Sequence, residues 1–168
     1  MTPTFLVPFR QDLAEQLLAE VDAPGQLAFW AAASDYPPTL ALFERWHSDP
    51  DVHPHLLLKD SQAVGYGEVW EDPDEGEAEL ARIFVSPRRR GQGLGLFLIK
   101  ALTGAAVQAG LEHVWLRVQP ANTRAISVYR SAGFVRAVPD QEAEFNQGQP
   151  HVYEWMYLQQ NDDRLKFE

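Results

Sequence analysis

The segment VSPRRRGQGLG, residues 85–95, places three arginines directly before three closely spaced glycines. The preceding AELARIFVS (78–86) has the apolar character of a buried strand, and from Gly93 to Ala109 apolar side chains recur at three- and four-residue intervals, as in a helix. Amides at the start of a helix lack intrahelical partners, and the helix dipole is positive there. Because glycines leave that backbone open to a ligand, the segment predicts an anion-binding turn between a strand and a helix.

The glycine spacing does not fit two other phosphate-binding loops. A Rossmann fingerprint has the form G-x-G-x-x-G with an acidic residue about 20 positions later. Here Gly91, Gly93 and Gly95 read G-x-G-x-G. A Walker loop needs glycine, lysine and then serine or threonine, a combination that this segment lacks. The remaining pattern is R-x-x-G-x-G, from Arg90 to Gly95.

The composition is that of a globular chain, and it restricts the classes of function. With 168 residues, 45% of them hydrophobic and 23% charged, we expect one domain over residues 1–168. The absence of cysteine excludes a cysteinyl intermediate, and the formal net charge of -10 argues against nucleic acid as a partner. No apolar run reaches the ~18 residues that a membrane-spanning helix requires, and the first residues lack the order of a secretory signal. We therefore expect a cytoplasmic protein with no membrane partner.

Hydrophobic periodicity predicts the element order α-α-β-β-β-α-β-α-β-β, a mixed α/β (α+β) sheet flanked by helices. Asn122 is the expected N-cap of the last helix. The predicted helices cover residues 11–21, 37–47, 93–109 and 122–133, and the predicted strands cover 52–60, 63–71, 78–86, 113–119, 134–138 and 151–159.

Together with the strand before it, the helix after it and the segment NTRAISVYRSAGF (122–134), the R-x-x-G-x-G pattern resembles the GNAT-type N-acetyltransferase superfamily. The resemblance runs from about residue 52 to residue 134. It implies the GNAT fold and acetyl-coenzyme A (acetyl-CoA) as co-substrate. It also implies direct transfer of the acetyl group, in a ternary complex, to a primary amine of a small molecule or of a protein or peptide. Dimers are common in the family, so a homodimer is compatible with the resemblance, but the sequence shows no self-complementary patch.

The resemblance also implies a set of cofactor-binding residues. The amides of the loop would hold the diphosphate, the strand edge before it would pair with the pantetheine arm, and Val85 would donate its N–H to the thioester carbonyl. Arg88 and Arg89 are either partners of outlying phosphates or an exposed turn, and Asn122 can contact the cofactor while it caps the helix. The full set is Ile83, Phe84, Val85, Arg88, Arg89, Arg90, Gly91, Gln92, Gly93, Leu94, Gly95, Asn122 and Tyr129.

The family's chemistry needs an acid for the departing thiolate and a base for the incoming ammonium. Tyr129 occupies the position of the family's acid, although a core aromatic is the alternative interpretation. Glu79 lies six residues before Val85, which predicts that the two share a strand face and makes Glu79 a candidate base. Glu68, on the neighbouring strand, is its rival, and a water chain is a third route.

Other observations bear on the acceptor and on rival functions. Trp30, Tyr36 and the polar stretch 139–150 are candidates to border the acceptor site. His53 and His55 have the spacing of two ligands on one strand face, but no third ligand is evident, so no metal is expected. A non-catalytic acyl-CoA-binding or sensing module would retain the loop without the acid and base. A nucleotide-binding protein of another fold would explain the glycines but not the segment 122–134.

Overall fold

The computed structural model describes residues 2–31 and 36–159, which form a mixed sheet of seven strands with helices on both faces. The strands lie in the order β1-β2-β3-β4-β5-β7-β6, and in this described part of the chain only β4 and β5 pair in parallel. The elements are β1 (Thr4–Pro8), α1 (Gln11–Leu18), α2 (Pro24–Ala31), α3 (Leu40–Trp46), β2 (Val52–Lys59), β3 (Gln62–Asp72), β4 (Glu77–Val85), a short 3-10 turn (Pro87–Arg89), α4 (Leu94–Gln108), β5 (His113–Val118), α5 (Thr123–Ser131), β6 (Phe134–Arg136), α6 (Pro139–Phe145) and β7 (Glu154–Leu158).

The predicted fold class is confirmed, and every predicted helix and strand is present. Most are shorter than predicted, whereas β3 is longer by one residue at each end and β4 is shifted by one residue. The prediction missed β1, α2 and α6. β1 is a five-residue edge strand that ends at a proline, α2 begins with Pro-Gly, and α6 lies in the polar stretch read as a connection. In the described residues no helix has the length and apolarity to cross a lipid bilayer.

Two hydrophobic clusters fill the two faces of the sheet. The first lies between the sheet and helices α4 and α5, and includes Leu80, Leu98, Leu102 and Leu116. The second packs α1, α2 and α3 against the other face. Its members include Leu17, Trp30, Phe43, Tyr66 and Phe84.

A β-bulge interrupts the pairing of β3 with β4. Tyr66 pairs with Phe84 and Glu68 with Ala81, so Gly67 alone faces both Arg82 and Ile83. Arg82 has a φ of 47°, in the left-handed region that residues other than glycine rarely adopt. A Cβ on Gly67 would lie 2.5 Å from Leu102 Cδ1, so glycine lets α4 pack closely at this point.

Strands β4 and β5 are paired over only part of their length. Their register runs from Glu77–His113 to Leu80–Leu116 and then stops. The segment 81–85 of β4 therefore has no partner on its β5 side among the described residues. The sheet is split at this point, between the bulge and the start of α4.

The close packing of α4 against the sheet gives a stability prediction. Leu98 is fully buried in the first cluster, so Leu98→Ala should lower the free energy of unfolding by about 2–5 kcal/mol. Lys100, exposed on the same helix, supplies the matched control, and Lys100→Ala should change it by less than ~0.5 kcal/mol. Urea unfolding measures the free energy of unfolding of both variants. Equal changes in the two would contradict the packing of Leu98 in the first cluster.

Candidate active site

A cavity of about 920 Å³ occupies the split between β4 and β5. Strand β4 contributes residues 79–85 to its wall, and the loop before α4 closes one end. Side chains of α2 and α5 complete the wall on either side of the split. The cavity therefore joins the open strand edge to the start of α4.

The loop before α4 has the conformation that an anion site requires. Gly91 and Gly93 have φ values of 77° and 76°, and nothing lies within 4 Å of the position that a Cβ would take on either residue. Gly93 is the N-cap of α4, and its carbonyl accepts from Phe97 N at 3.1 Å. The amides of the first turn beyond it have no intrahelical acceptor, as at any helix start. The residues present thus fit a diphosphate, with open space and converging N–H groups.

Cations border this end of the cavity. Arg90 lines it and donates through Nε to the Val85 carbonyl oxygen at 3.3 Å. Burial lowers the pKa of Arg90, and the neighbouring charge of Arg124 acts in the same direction. Arg124 also lines the cavity and had not been predicted as a site residue. Two arginines thus concentrate positive charge beside the glycine loop of an acidic chain.

The structure brings most of the predicted cofactor residues together. Three do not line the cavity: Arg88 is 3.6 Å from Glu20, Arg89 donates to Gln62 Oε1, and Gln92 accepts from Lys59 Nζ. Those that line it are Ile83, Phe84, Val85, Arg90, Gly91, Gly93, Leu94, Gly95, Asn122 and Tyr129.

Helix α5 presents two of the predicted side chains to the cavity. Asn122 is its N-cap and accepts through Oδ1 from Ala125 N at 3.3 Å, so the capping prediction is confirmed. The Tyr129 side chain is buried, and its hydroxyl has no hydrogen-bond partner within the described ranges. Burial raises the pKa of Tyr129, so its hydroxyl keeps its proton.

Glu79 lines the cavity, but the prediction that it shares a strand face with Val85 is wrong. The bulge adds a residue between them, so Val85 packs with Leu80 against the first cluster while Glu79 lies on the other face. Glu79 accepts from both Nε and Nη2 of Arg117, the latter at 3.0 Å. Arg117 also donates through Nη1 to Gln149 Oε1 at 2.9 Å, so the stretch 139–150 reaches the site at this residue.

Glu68 does not line the cavity. Its side chain is fully buried, and its carboxylate accepts from Tyr66 Oη, from Trp70 Nε1 at 2.6 Å and from Arg82 Nη1 at 2.8 Å. Burial raises the pKa of Glu68, and the charge of Arg82 opposes that shift. His47 Nε2 lies 2.9 Å from Tyr66 Oη and extends this buried network.

Several residues on the acceptor side of the cavity were not predicted. Arg82, Arg117, Trp70 and Tyr153 all line it. Alternation along β5 places Arg117 on one face with Trp115, a signal available in the sequence, whereas Arg82 enters the site only because of the bulge. Trp30, proposed from the sequence, lines the cavity, while Tyr36 does not, and residues 32–35 between them lie outside the described residues.

The histidines of β2 make other contacts. His53 Nε2 lies 3.2 Å from Glu71, and His55 Nδ1 lies 3.0 Å from the His53 carbonyl oxygen. Within residues 2–31 and 36–159 no three histidine or acidic side chains converge as a metal site would require.

Comparison with known proteins identifies the class. Residues 14–134 match the acetyltransferase (GNAT) family, which is most of the chain, and the protein belongs to this family of enzymes. The match extends the resemblance seen in residues 52–134 back to α1.

Individual relatives are more distant. The chain is 29% identical over 130 residues to an IAA acetyltransferase of Azospirillum brasilense, covering 77% of this chain and 81% of that relative. It is 35% identical over 85 residues, 51% of its length, to a mycothiol acetyltransferase of Clavibacter sepedonicus, but the match spans only 28% of that relative. The spermidine N-acetyltransferase of Vibrio cholerae, solved with CoA and spermine, superposes with a TM-score of 0.70 at 16% identity, covering 92% of this chain and 94% of that one. At that identity the superposition establishes the fold.

Proposed function

We propose that this chain is a single-domain N-acetyltransferase that transfers the acetyl group of acetyl-CoA to a primary amine of a small molecule or peptide. The observation that carries the proposal is the continuous cavity from the glycine loop, along the unpaired edge of β4, to the buried hydroxyl of Tyr129. The relatives named above are acetyltransferases, and the superposed spermidine enzyme was solved with CoA. A non-catalytic acyl-CoA sensor would not need the buried tyrosine.

On the donor side, the loop from Arg90 to Gly95 would bind the diphosphate through its amides, assisted by Arg90 and Arg124. The segment 81–85 offers backbone groups that β5 leaves unpaired, and an extended pantetheine arm would pair with them as an added strand. Val85 is the proposed donor to the thioester carbonyl, where negative charge develops during attack. Asn122 would contact the same arm from α5.

The diphosphate assignment predicts a loss of affinity in Gly93→Asp. A side chain there must adopt a φ of 76°, and the added carboxylate would repel the phosphates, so the Kd for acetyl-CoA should rise about tenfold or more. Gly76→Asp, in the turn before β4, adds the same charge at a φ of 69° away from the cavity and is the matched control. Isothermal titration calorimetry measures both, and an unchanged Kd in Gly93→Asp would remove the diphosphate from this loop.

Tyr129 is the proposed acid. The departing CoA thiolate, with a pKa of ~8.5 by analogy with cysteine, is a better leaving group when it receives a proton. Because burial raises the pKa of Tyr129, the hydroxyl is protonated throughout the neutral range and is free to donate into the cavity.

Tyr129→Phe should lower kcat about 100-fold with little change in the Kd for acetyl-CoA, because only the proton donor is removed. The deficit should shrink above about pH 8.5, where the thiolate leaves without a proton. Tyr157→Phe alters a tyrosine of β7 that does not line the cavity and should leave kcat near the wild-type value. Steady-state kinetics across pH provide the test, and unaltered turnover in Tyr129→Phe would exclude the acid role.

Glu79 is the better candidate for the base, although it does not share a face with Val85. Glu79 lines the cavity, and Arg117 fixes the orientation of its carboxylate. Glu68 is fully buried outside the cavity and already accepts hydrogen bonds from three side chains. Glu79 would receive the ammonium proton directly or through one water.

The base assignment predicts a pH-dependent defect in Glu79→Gln. A lysine-like amine, with a pKa of ~10.4, arrives protonated near neutral pH and needs a base. There kcat/KM should fall about 100-fold, and the deficit should shrink toward pH ~10, where the amine arrives neutral. A deficit of the same size at both pH values would show that Glu79 only positions other groups.

A further inference from the structure

Arg82 lies in the bulge of β4 and lines the cavity. Its guanidinium carbon lies 4.6 Å from the ring centroid of Trp46 and 4.9 Å from that of Trp70. The Arg82 carbonyl accepts from Trp30 Nε1 at 2.7 Å, which fixes the backbone of the bulge. Two indole rings and one backbone contact therefore hold this cation in a set orientation.

The donors of Arg82 are only partly used. Nη1 donates to Glu68, while Nε and Nη2 have no partner among the described residues. Arg82 lines the cavity, and 23% of its side chain remains exposed. Nε and Nη2 form one edge of the guanidinium, and two N–H groups on one edge have the fork geometry that binds a carboxylate through two bonds.

The charges around this part of the cavity are balanced. Among the described residues that line the cavity, Glu79 is the one carboxylate, and it pairs with Arg117 while Arg82 pairs with Glu68, so none of them is left over for a second ammonium group of a polyamine. Tyr153, whose ring centroid lies 5.5 Å from the Arg117 guanidinium carbon, and Phe29, 49% exposed, add apolar wall to the cavity. The surroundings fit a ligand with one amine, an apolar body and an anionic group.

We propose that the acceptor is an amine that also carries a carboxylate, an amino acid or a close analogue, with the carboxylate bound by Nε and Nη2 of Arg82. The proposal rests on the N-acetyltransferase function above. The amine nitrogen forms a bond to the acetyl carbon as the carbon–sulfur bond breaks, one proton leaves the amine for the base, and the thiolate takes a proton from the acid. The carboxylate takes no part in this exchange and serves to orient the amine.

Matched acceptors test the proposal on the wild-type chain. The assay follows the release of free CoA thiol. It compares phenylalanine, lysine and β-alanine each with its own carboxamide. Spermidine is included as a polycationic acceptor that has no carboxylate. Rates are expressed per neutral amine, because the carboxamides have less basic amino groups. For at least one pair, kcat/KM of the carboxylate should be about tenfold or more above kcat/KM of its carboxamide. The same carboxylate should also have a higher kcat/KM than spermidine. Equal or reversed preference in every pair, or spermidine as the best acceptor, would overturn the proposal.

Arg82→Lys separates recognition from a structural role, because lysine keeps the charge opposite Glu68 but loses the fork. The KM for the carboxylate should rise about tenfold more than the KM for its carboxamide, so that the carboxylate preference falls by that factor. Arg10→Lys, at a surface arginine paired with Asp12, is the control and should leave the preference intact. An equal loss for both acceptors in Arg82→Lys would contradict the proposal.

These outcomes also separate the two proposals. If amines are acetylated without any preference for a carboxylate, the role of Arg82 fails and the N-acetyltransferase function stands. If no acceptor in the panel releases thiol, or acetyl-CoA does not bind, both fail.

Discussion

The bulge in β4 is the constraint on which the site depends. Arg82 holds a left-handed backbone conformation in mid-strand, which costs on the order of 1–3 kcal/mol and persists only where surrounding contacts maintain it. Those contacts are present: Trp30 binds its carbonyl, Glu68 binds its guanidinium, and Trp46 and Trp70 lie close to that guanidinium. Trp30 and Trp46 of the second hydrophobic cluster thus help to stabilise the bulge, and the bulge places Arg82 at the cavity.

Several features of the site follow from that one extra residue. It reverses which residues of β4 face each side of the sheet. Ile83 and Val85 therefore pack with Leu80 in the first cluster, while Phe84 packs in the second cluster. The β4–β5 pairing stops just before it, and the edge that remains unpaired becomes one wall of the cavity. In the proposed mechanism this edge aligns the thioester, and the amides of the glycine loop, with Arg90 and Arg124 beside it, bind the other end of the donor.

The sequence predicted the glycine loop, the start of α4 and the cap of α5, because these depend on local features, whereas it missed Arg124 and included Arg88, Arg89 and Gln92, which do not line the cavity. A strand, a glycine-rich turn with positive φ values, a helix start and a capping asparagine are each encoded within a few neighbouring residues. The acceptor side depends on contacts between distant segments, such as Trp30 with Arg82 and Arg117 with Gln149. The same reason explains the error over Glu79, since strand alternation holds only while the register is unbroken, and nothing local in RIFV marks Arg82 for a left-handed conformation.

The most direct measurement of the central claim is a crystal structure of this chain with acetyl-CoA. The account predicts diphosphate oxygens within ~2.7–3.2 Å of the amides between Arg90 and Gly95. It also predicts the pantetheine arm lying along the segment 81–85, with the thioester in the split between β4 and β5. A donor bound elsewhere, or a β4 that pairs with β5 through to Val85 and closes the split, would contradict it.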